Sequence, residues 1–257
     1  MMLDLFDTHT HLDADDFDAD RDLVISRARQ AGVRRLVTIG IGGSAATRAA
    51  IALAEKYDFI WASAGVHPHD AKVPVDLTEL RQFAAHPRVV AIGETGLDYF
   101  RDWAPKDLQE QWFRAQVKLA LEIKKPIIIH SREAGQDCLR ILEEEGASAI
   151  GGVFHCFSED AAFAAKLREI NFLISVPGSV TFKKAEALRA TIKAVPLEQI
   201  MLETDAPYLA PEPNRGQRCE SALMVDTARC LAALKGLSLE ELGTITTATA
   251  MKFFKLI

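Results

Sequence analysis

Six of the seven histidines in this 257-residue chain stand at or just past the end of an apolar, β-branched run. His9 and His11 follow the run 3–8, His67 and His69 follow 59–65, His130 closes 126–130, and His155 closes 151–155. Only His86 falls in a helix-to-strand connection. His9 and His11 are two apart on an extended segment, so their side chains share a face. Imidazole at that spacing suits zinc, manganese, nickel or iron. An isolated His-x-His is more often a polar turn than a ligand pair. Further ligand types at other strand ends reverse that order: Glu94 after Val-Val-Ala-Ile-Gly, His130, His155, and Asp205 after Leu-Glu-Thr.

Each of these residues has a competing role. A carboxylate ending an apolar run, as Glu94 does, needs a cation beside it, because an unpaired buried charge is very costly. Its own run supplies none, and a carboxylate can link two metals. A lone histidine closing an apolar strand is usually a satisfied core residue, but His130 and His155 on successive strands after Glu94 fit one metal better. Asp205 could cap a helix, yet Ala206-Pro207 opens no obvious long one. Set against a metal and its water, Asp205 could act as ligand and general base together. Asp205 and Glu94 are therefore the candidate catalytic carboxylates. Glu203, one layer deeper, reads as an acceptor that supports the site. Among cations that could bind an anion, His67 and Arg132 are expected to face the site. Lys183 and Lys184 suit a solvated surface, and Arg215 and Arg218 are further candidates.

Something must hold these residues in one place. Eight short apolar runs (3–8, 35–41, 59–65, 89–94, 126–130, 151–155, 171–176 and 199–205) alternate with amphipathic stretches. That is the pattern of βαβ units on a parallel sheet. Helices are expected over 21–31, ended by Gly32, and over 45–56, with Ser44 as N-cap. Others are expected over 106–123, 134–145, 160–169, 183–194, 221–234 and 239–256. With no linker or low-complexity segment, one domain over 1–257 is expected: an α/β fold, a (β/α)8 TIM barrel, with its active site at the strands' C-terminal ends. An open doubly wound sheet would usually carry a Gly-rich phosphate loop after its first strand, where this chain has His-Thr-His.

Bulk properties agree with that architecture. The chain is 49% hydrophobic and 26% charged, the balance of a globular protein. A net charge of -6 argues against a broad basic nucleic-acid surface, though not against a nuclease whose cleft neutralises phosphates locally. The four cysteines form no C-x-x-C pair and read as reduced thiols. Without a secretory signal or a membrane-length apolar run, the expected location is cytoplasmic, with no obligate protein partner.

At these residues the sequence resembles the TatD family of metal-dependent hydrolases, within the amidohydrolase superfamily. The segments that carry the resemblance are Phe6-Asp7-Thr8-His9-Thr10-His11, Gly65-Val66-His67-Pro68, Gly93-Glu94-Thr95-Gly96-Leu97-Asp98-Tyr99, Pro126-Ile127-Ile128-Ile129-His130-Ser131-Arg132, His155-Cys156-Phe157-Ser158 and Leu202-Glu203-Thr204-Asp205-Ala206-Pro207-Tyr208-Leu209. The resemblance implies two divalent cations per chain, zinc, manganese, magnesium or nickel. One would be held by His9, His11, Glu94 and Asp205, the other by Glu94, His130 and His155. It also implies deoxyribonuclease activity, with DNA as substrate. The chain departs from the family pattern at Cys219 and Ser221, where Asn and Pro are usual, and at Thr249 in place of Asn.

The expected chemistry is phosphodiester hydrolysis by a metal-activated water. Asp205 would take the proton, and His67 and Arg132 would steady the phosphate. The same centre could activate water toward carbonyl carbon. The alternative is thus an amidohydrolase, a lactonase, or a deacylase of an acylated nucleic-acid end. A metal-binding scaffold without catalysis would not need six ligands and Arg132.

Overall fold

A computed structural model describes residues 3–74, 76–101 and 103–256. The described strands are β1 (Leu5–Thr10), β2 (Val33–Gly40), β3 (Ile60–Ala64), β4 (Val89–Asp98), β5 (Ile127–Arg132), β6 (Gly152–Phe154), β7 (Phe172–Val176) and β8 (Ile200–Leu202). They form one eight-stranded sheet in chain order from β1 to β8. The pairings β1–β2, β3–β4, β4–β5, β5–β6 and β7–β8 are parallel. A helix follows every strand: α1 (Arg21–Ala31), α2 (Ser44–Lys56), α3 (Thr78–Ala84), α4 (Lys106–Ile123), α5 (Gly135–Glu144), α6 (Ala161–Glu169), α7 (Glu186–Ala194) and α8 (Met224–Lys235), with α9 (Leu239–Phe253) last. The fold is the expected (β/α)8 barrel. No helix among the described residues is long and apolar enough to cross a membrane.

Contacts within the chain cluster into two compact units. Unit 1 contains residues through Thr38, Cys156–Lys166 and the chain from Ile174 on; unit 2 contains Ile39–His155 and Leu167–Leu173. In unit 1, β8 lies against β1, where the Thr8 hydroxyl donates to Leu202 O at 2.9 Å. The Thr247 hydroxyl of α9 donates to Asp4 O at 3.0 Å, and Phe254 packs on Phe6 with ring centroids 5.7 Å apart. A reciprocal Ser238–Glu241 capping box starts α9, satisfying donors that a helix N-terminus otherwise leaves orphaned.

In unit 2, α4 buries Trp112, Phe113, Val117, Leu119 and Ala120, together with two amides, Gln109 and Gln116. The amides are two turns apart and so share a face. Gln116 Oε1 accepts from Val66 N at 2.8 Å, and its Nε2 donates to Val66 O at 3.0 Å and to Thr95 Oγ1 at 2.6 Å. Gln109 Oε1 accepts from Asp98 N at 2.9 Å. The helix thereby pins the segment before His67 and the end of β4.

Several boundaries differ from expectation. The structure carries β1 through His9 to Thr10 and β4 on to Asp98, while β6 and β8 are three residues each. Ser44 is the first residue of α2 rather than its cap, Gly43 preceding it, and its hydroxyl bonds the Glu79 carboxylate on α3. No helix was expected at α3, whose seven residues bury only Leu80 and Ala84. That is too short for a periodic apolar stripe to stand out.

Candidate metal centre

In unit 1, His9, His11 and Asp205 bring one ligand atom each to within 4.8 Å of one another. Asp205 Oδ1 lies 3.3 Å from His11 Nε2 and 3.7 Å from His9 Nε2. Asp205 sits three residues past β8 with φ of 57°, a left-handed conformation that Asp and Asn tolerate better than most residues. Two backbone bonds clamp it beside the histidines: Asp205 N to His9 O at 2.9 Å and His11 N to Ala206 O at 2.8 Å. Below them Asp7 is fully buried and accepts from Thr204 N at 3.0 Å and Thr204 Oγ1 at 2.7 Å. Burial pushes the Asp7 carboxyl up to about 6, against the pull of these hydrogen bonds. Glu203, buried as expected of a supporting acceptor, takes Cys156 N at 2.6 Å and the Ser175 hydroxyl.

In unit 2, three imidazoles converge on one oxygen, Glu94 Oε1: His155 Nε2 at 2.7 Å, His130 Nδ1 at 2.8 Å and His67 Nε2 at 3.4 Å. Burial alone would raise the Glu94 carboxyl, but His155, His67 and His130 hold it well below the usual range. Burial lowers His130, yet its contacts with Asp98 and Glu94 leave it raised overall. The backbone around Glu94 requires glycine. Gly93 and Gly96 have φ of 130° and 142°, and a Cβ would meet Ile128 O at 2.6 Å or His130 O at 2.0 Å. That close approach seats β4 against β5.

Two residues join this cluster that sequence reasoning did not single out as ligand types for it. Asp98 Oδ2 lies 2.7 Å from His69 Nε2 and 3.1 Å from His130 Nε2. Its carboxyl is held far below the usual range, despite burial, by His130, the Arg101 backbone N–H and His69. The available signal was parity: Asp98 is four residues beyond Glu94 on one strand and so shares its face. His69 likewise stands two past His67. His67, His69 and His130 also offer three nitrogens within 4.8 Å of one another, but His67 Nδ1 already accepts His69 N–H at 3.1 Å. Its ring proton then sits on Nε2, facing Glu94. Burial lowers the His67 pKa, which favours this neutral form. His67 is thus built as a hydrogen-bond donor rather than a ligand.

The remaining candidates have clear places. Arg132 is exposed at the end of β5, its guanidinium 4.0 Å over the Phe100 ring. Arg218 is committed to Asp20 at 2.8 and 2.9 Å and to Asp16 O at 2.7 Å, and Arg215 stacks 4.3 Å over Phe182. Lys183 and Lys184 are exposed, as solvated cations should be. Cys219 and Ser221, where the chain departs from the family pattern, are both buried in unit 1; Cys219 N donates to Pro207 O at 2.9 Å.

The donor sets fit divalent cations. Imidazole nitrogen and carboxylate oxygen are the mixture such ions take, and three imidazoles aimed at one buried carboxylate oxygen exceed what its lone pairs can accept.

Comparison with known proteins agrees. Residues 6–255 match the family described as TatD related DNase. A metal-dependent hydrolase of Bacillus subtilis, YabD, is 44% identical over 98% of this chain and 99% of its own. A protein of a Rahnella species named as a 3'-5' ssDNA/RNA exonuclease, TatD, is 34% identical over 98% of each. The crystal structure of YjjV, a TatD homologue of Escherichia coli, superposes with a TM-score of 0.91 at 29% identity and 99% coverage of both chains. With its family segments in order and its donor clusters formed, this chain belongs to the TatD family of metal-dependent hydrolases.

Proposed function

We propose that the protein is a deoxyribonuclease that hydrolyses phosphodiester bonds with two divalent cations per chain. His9, His11 and Asp205 hold one ion; Glu94, His130 and His155 hold the other. These six residues are the ones that the family resemblance implies, with Glu94 counted there toward both ions. The observation that carries the reading is the convergence of His130 Nδ1 and His155 Nε2 on Glu94 Oε1, at 2.8 and 2.7 Å. The exonuclease name of the Rahnella relative supports nucleic acid as the substrate class.

Bound divalent cations supply charge to a phosphoryl oxygen and make water acidic enough to attack near neutral pH. The chain's residues do the rest. Asp205 Oδ accepts the proton of the attacking water. His67, whose Nε2–H lies a long 3.4 Å from Glu94, shares that proton with a phosphoryl oxygen, and the Arg132 guanidinium neutralises the charge that develops there. Glu94, held ionised, keeps His130 and His155 aimed.

The test is an assay on end-labelled single-stranded DNA beside a panel of carboxylic esters and lactones, with and without chelator, alongside metal analysis. DNA cleavage that vanishes on chelation and returns with zinc, manganese, magnesium or nickel is expected. Turnover of esters or lactones with DNA left intact would replace the nuclease reading.

A further inference from the structure

Phe100 and Trp103 are each 54% exposed, and exposed apolar rings grouped in one patch mark an interaction site where a single one would not. Both are dressed with cations. The Arg101 guanidinium lies 4.8 Å over the Trp103 ring and 5.9 Å over Phe100, and that of Arg132 lies 4.0 Å over Phe100. The patch adjoins the unit 2 cluster, for His69 packs edge-on against Trp103 with ring centroids 4.4 Å apart. Asp98 ties the two together. Its Oδ2 faces His69 and His130, while its Oδ1 accepts Phe100 N at 3.0 Å and Arg101 N at 2.8 Å. Tyr99 N donates to Arg132 O at 2.9 Å. One carboxylate therefore faces the histidines with one oxygen and holds the backbone of Phe100 and Arg101 with the other.

We propose that Trp103 and Phe100, with Arg101 and Arg132, form a platform on which an unpaired base of single-stranded DNA stacks while its phosphate reaches the unit 2 cluster. The proposal rests on the nuclease reading above and adds to it how the strand is held. Guanidinium planes and aromatic rings that already stack on one another offer the face a nucleobase takes. A duplex keeps its base faces covered, so the platform selects unpaired strands. With a net charge of -6, the chain as a whole draws phosphates weakly, and stacking beside two local guanidiniums adds to the grip.

Binding is read in metal-loaded protein carrying Asp205→Asn, where cleavage is slowed, using short oligo(dT) and an abasic oligomer of equal length. Trp103→Ala should weaken oligo(dT) binding about ten-fold and bring it down to that of the abasic strand. Trp103→Phe should keep most of the preference for bases while abolishing the tryptophan quenching that oligo(dT) causes. Equal loss on both oligomers, or quenching that survives in Trp103→Phe, would overturn the platform. Failure of the nuclease reading looks different: protein with Trp103 intact would leave single-stranded DNA uncut with every metal. Failure of the platform alone leaves DNA cleaved and Trp103→Ala binding unchanged.

Discussion

The two donor clusters are built on opposite plans. In unit 2, Glu94 is 3% exposed and ringed by imidazoles, the strands that carry it pair from Ile92↔Ile127 to Asp98↔Arg132, and two buried amides of α4 fix the flanks. In unit 1, Asp205 stands beyond a three-residue strand, 15% exposed, and two backbone bonds carry much of its placement. A buried carboxylate ringed by imidazoles suits a metal that stays. A carboxylate within reach of solvent suits a group that must take a proton from water and pass it on. On the function proposed above, unit 2 would retain the ion and unit 1 would handle the proton, and substitutions can test that separation.

The largest effect is expected at His130. It touches both Glu94 and Asp98, so His130→Ala removes a proposed ligand and leaves two buried carboxylates short of a partner. Metal content and turnover should fall together, to near background. A variant that keeps a full complement of metal would show that His130 is not a ligand.

Asp205→Asn comes next and should separate what His130→Ala couples. Asn tolerates the left-handed φ of 57° and keeps one coordinating oxygen, but it cannot accept the proton. Turnover should drop by about 10² to 10⁴, while the ion held by Glu94, His130 and His155 remains on metal analysis. Near-normal turnover would remove the base assignment.

Arg132→Ala should act more weakly, since the residue is exposed and holds no metal. A lost charge-assisted hydrogen bond to phosphate predicts about a ten-fold fall in DNA turnover with metal content unchanged. Loss of the metal, or normal cleavage, would mean that Arg132 has another role.

What could be read from the sequence follows the same division. The six candidate ligands stood out because a charged or imidazole side chain at the end of an apolar strand is hard to explain otherwise, and α1 and α4 were legible to the residue because Gly32 and the Lys124–Pro126 stretch stop them. Asp98 was not, because the apolar run ends visually at Glu94 although the strand continues. Gln109 and Gln116 were hidden for a different reason. An amide in an amphipathic helix looks like part of its wet face, and only the fold shows that both point inward to bind backbone. The same holds for Trp103, whose meaning depends on His69 arriving from another loop.

The smallest effect is predicted where unit 1 holds Asp205 in place. Thr204 Oγ1 donates to Asp7 Oδ2 at 2.7 Å and accepts Ala206 N–H at 3.2 Å. Thr204→Val is close to Thr in shape, yet it deprives a fully buried carboxylate of a donor and the Ala206 N–H of its acceptor. Leaving buried polar groups unsatisfied costs about 1–3 kcal/mol, and each kcal/mol lowers Tm by about 2–4 °C in a chain of this size. Thr204→Ser keeps the hydroxyl and should recover most of that loss. Turnover in Thr204→Val should fall only a few-fold, because the clamp bonds from Asp205 N to His9 O and from His11 N to Ala206 O remain. If Val melts with the parent protein, the Thr204 hydroxyl contributes nothing to the hold on Asp205. If instead Val destroys activity as thoroughly as His130→Ala, unit 1 is as tightly determined as unit 2, and the contrast between the clusters fails.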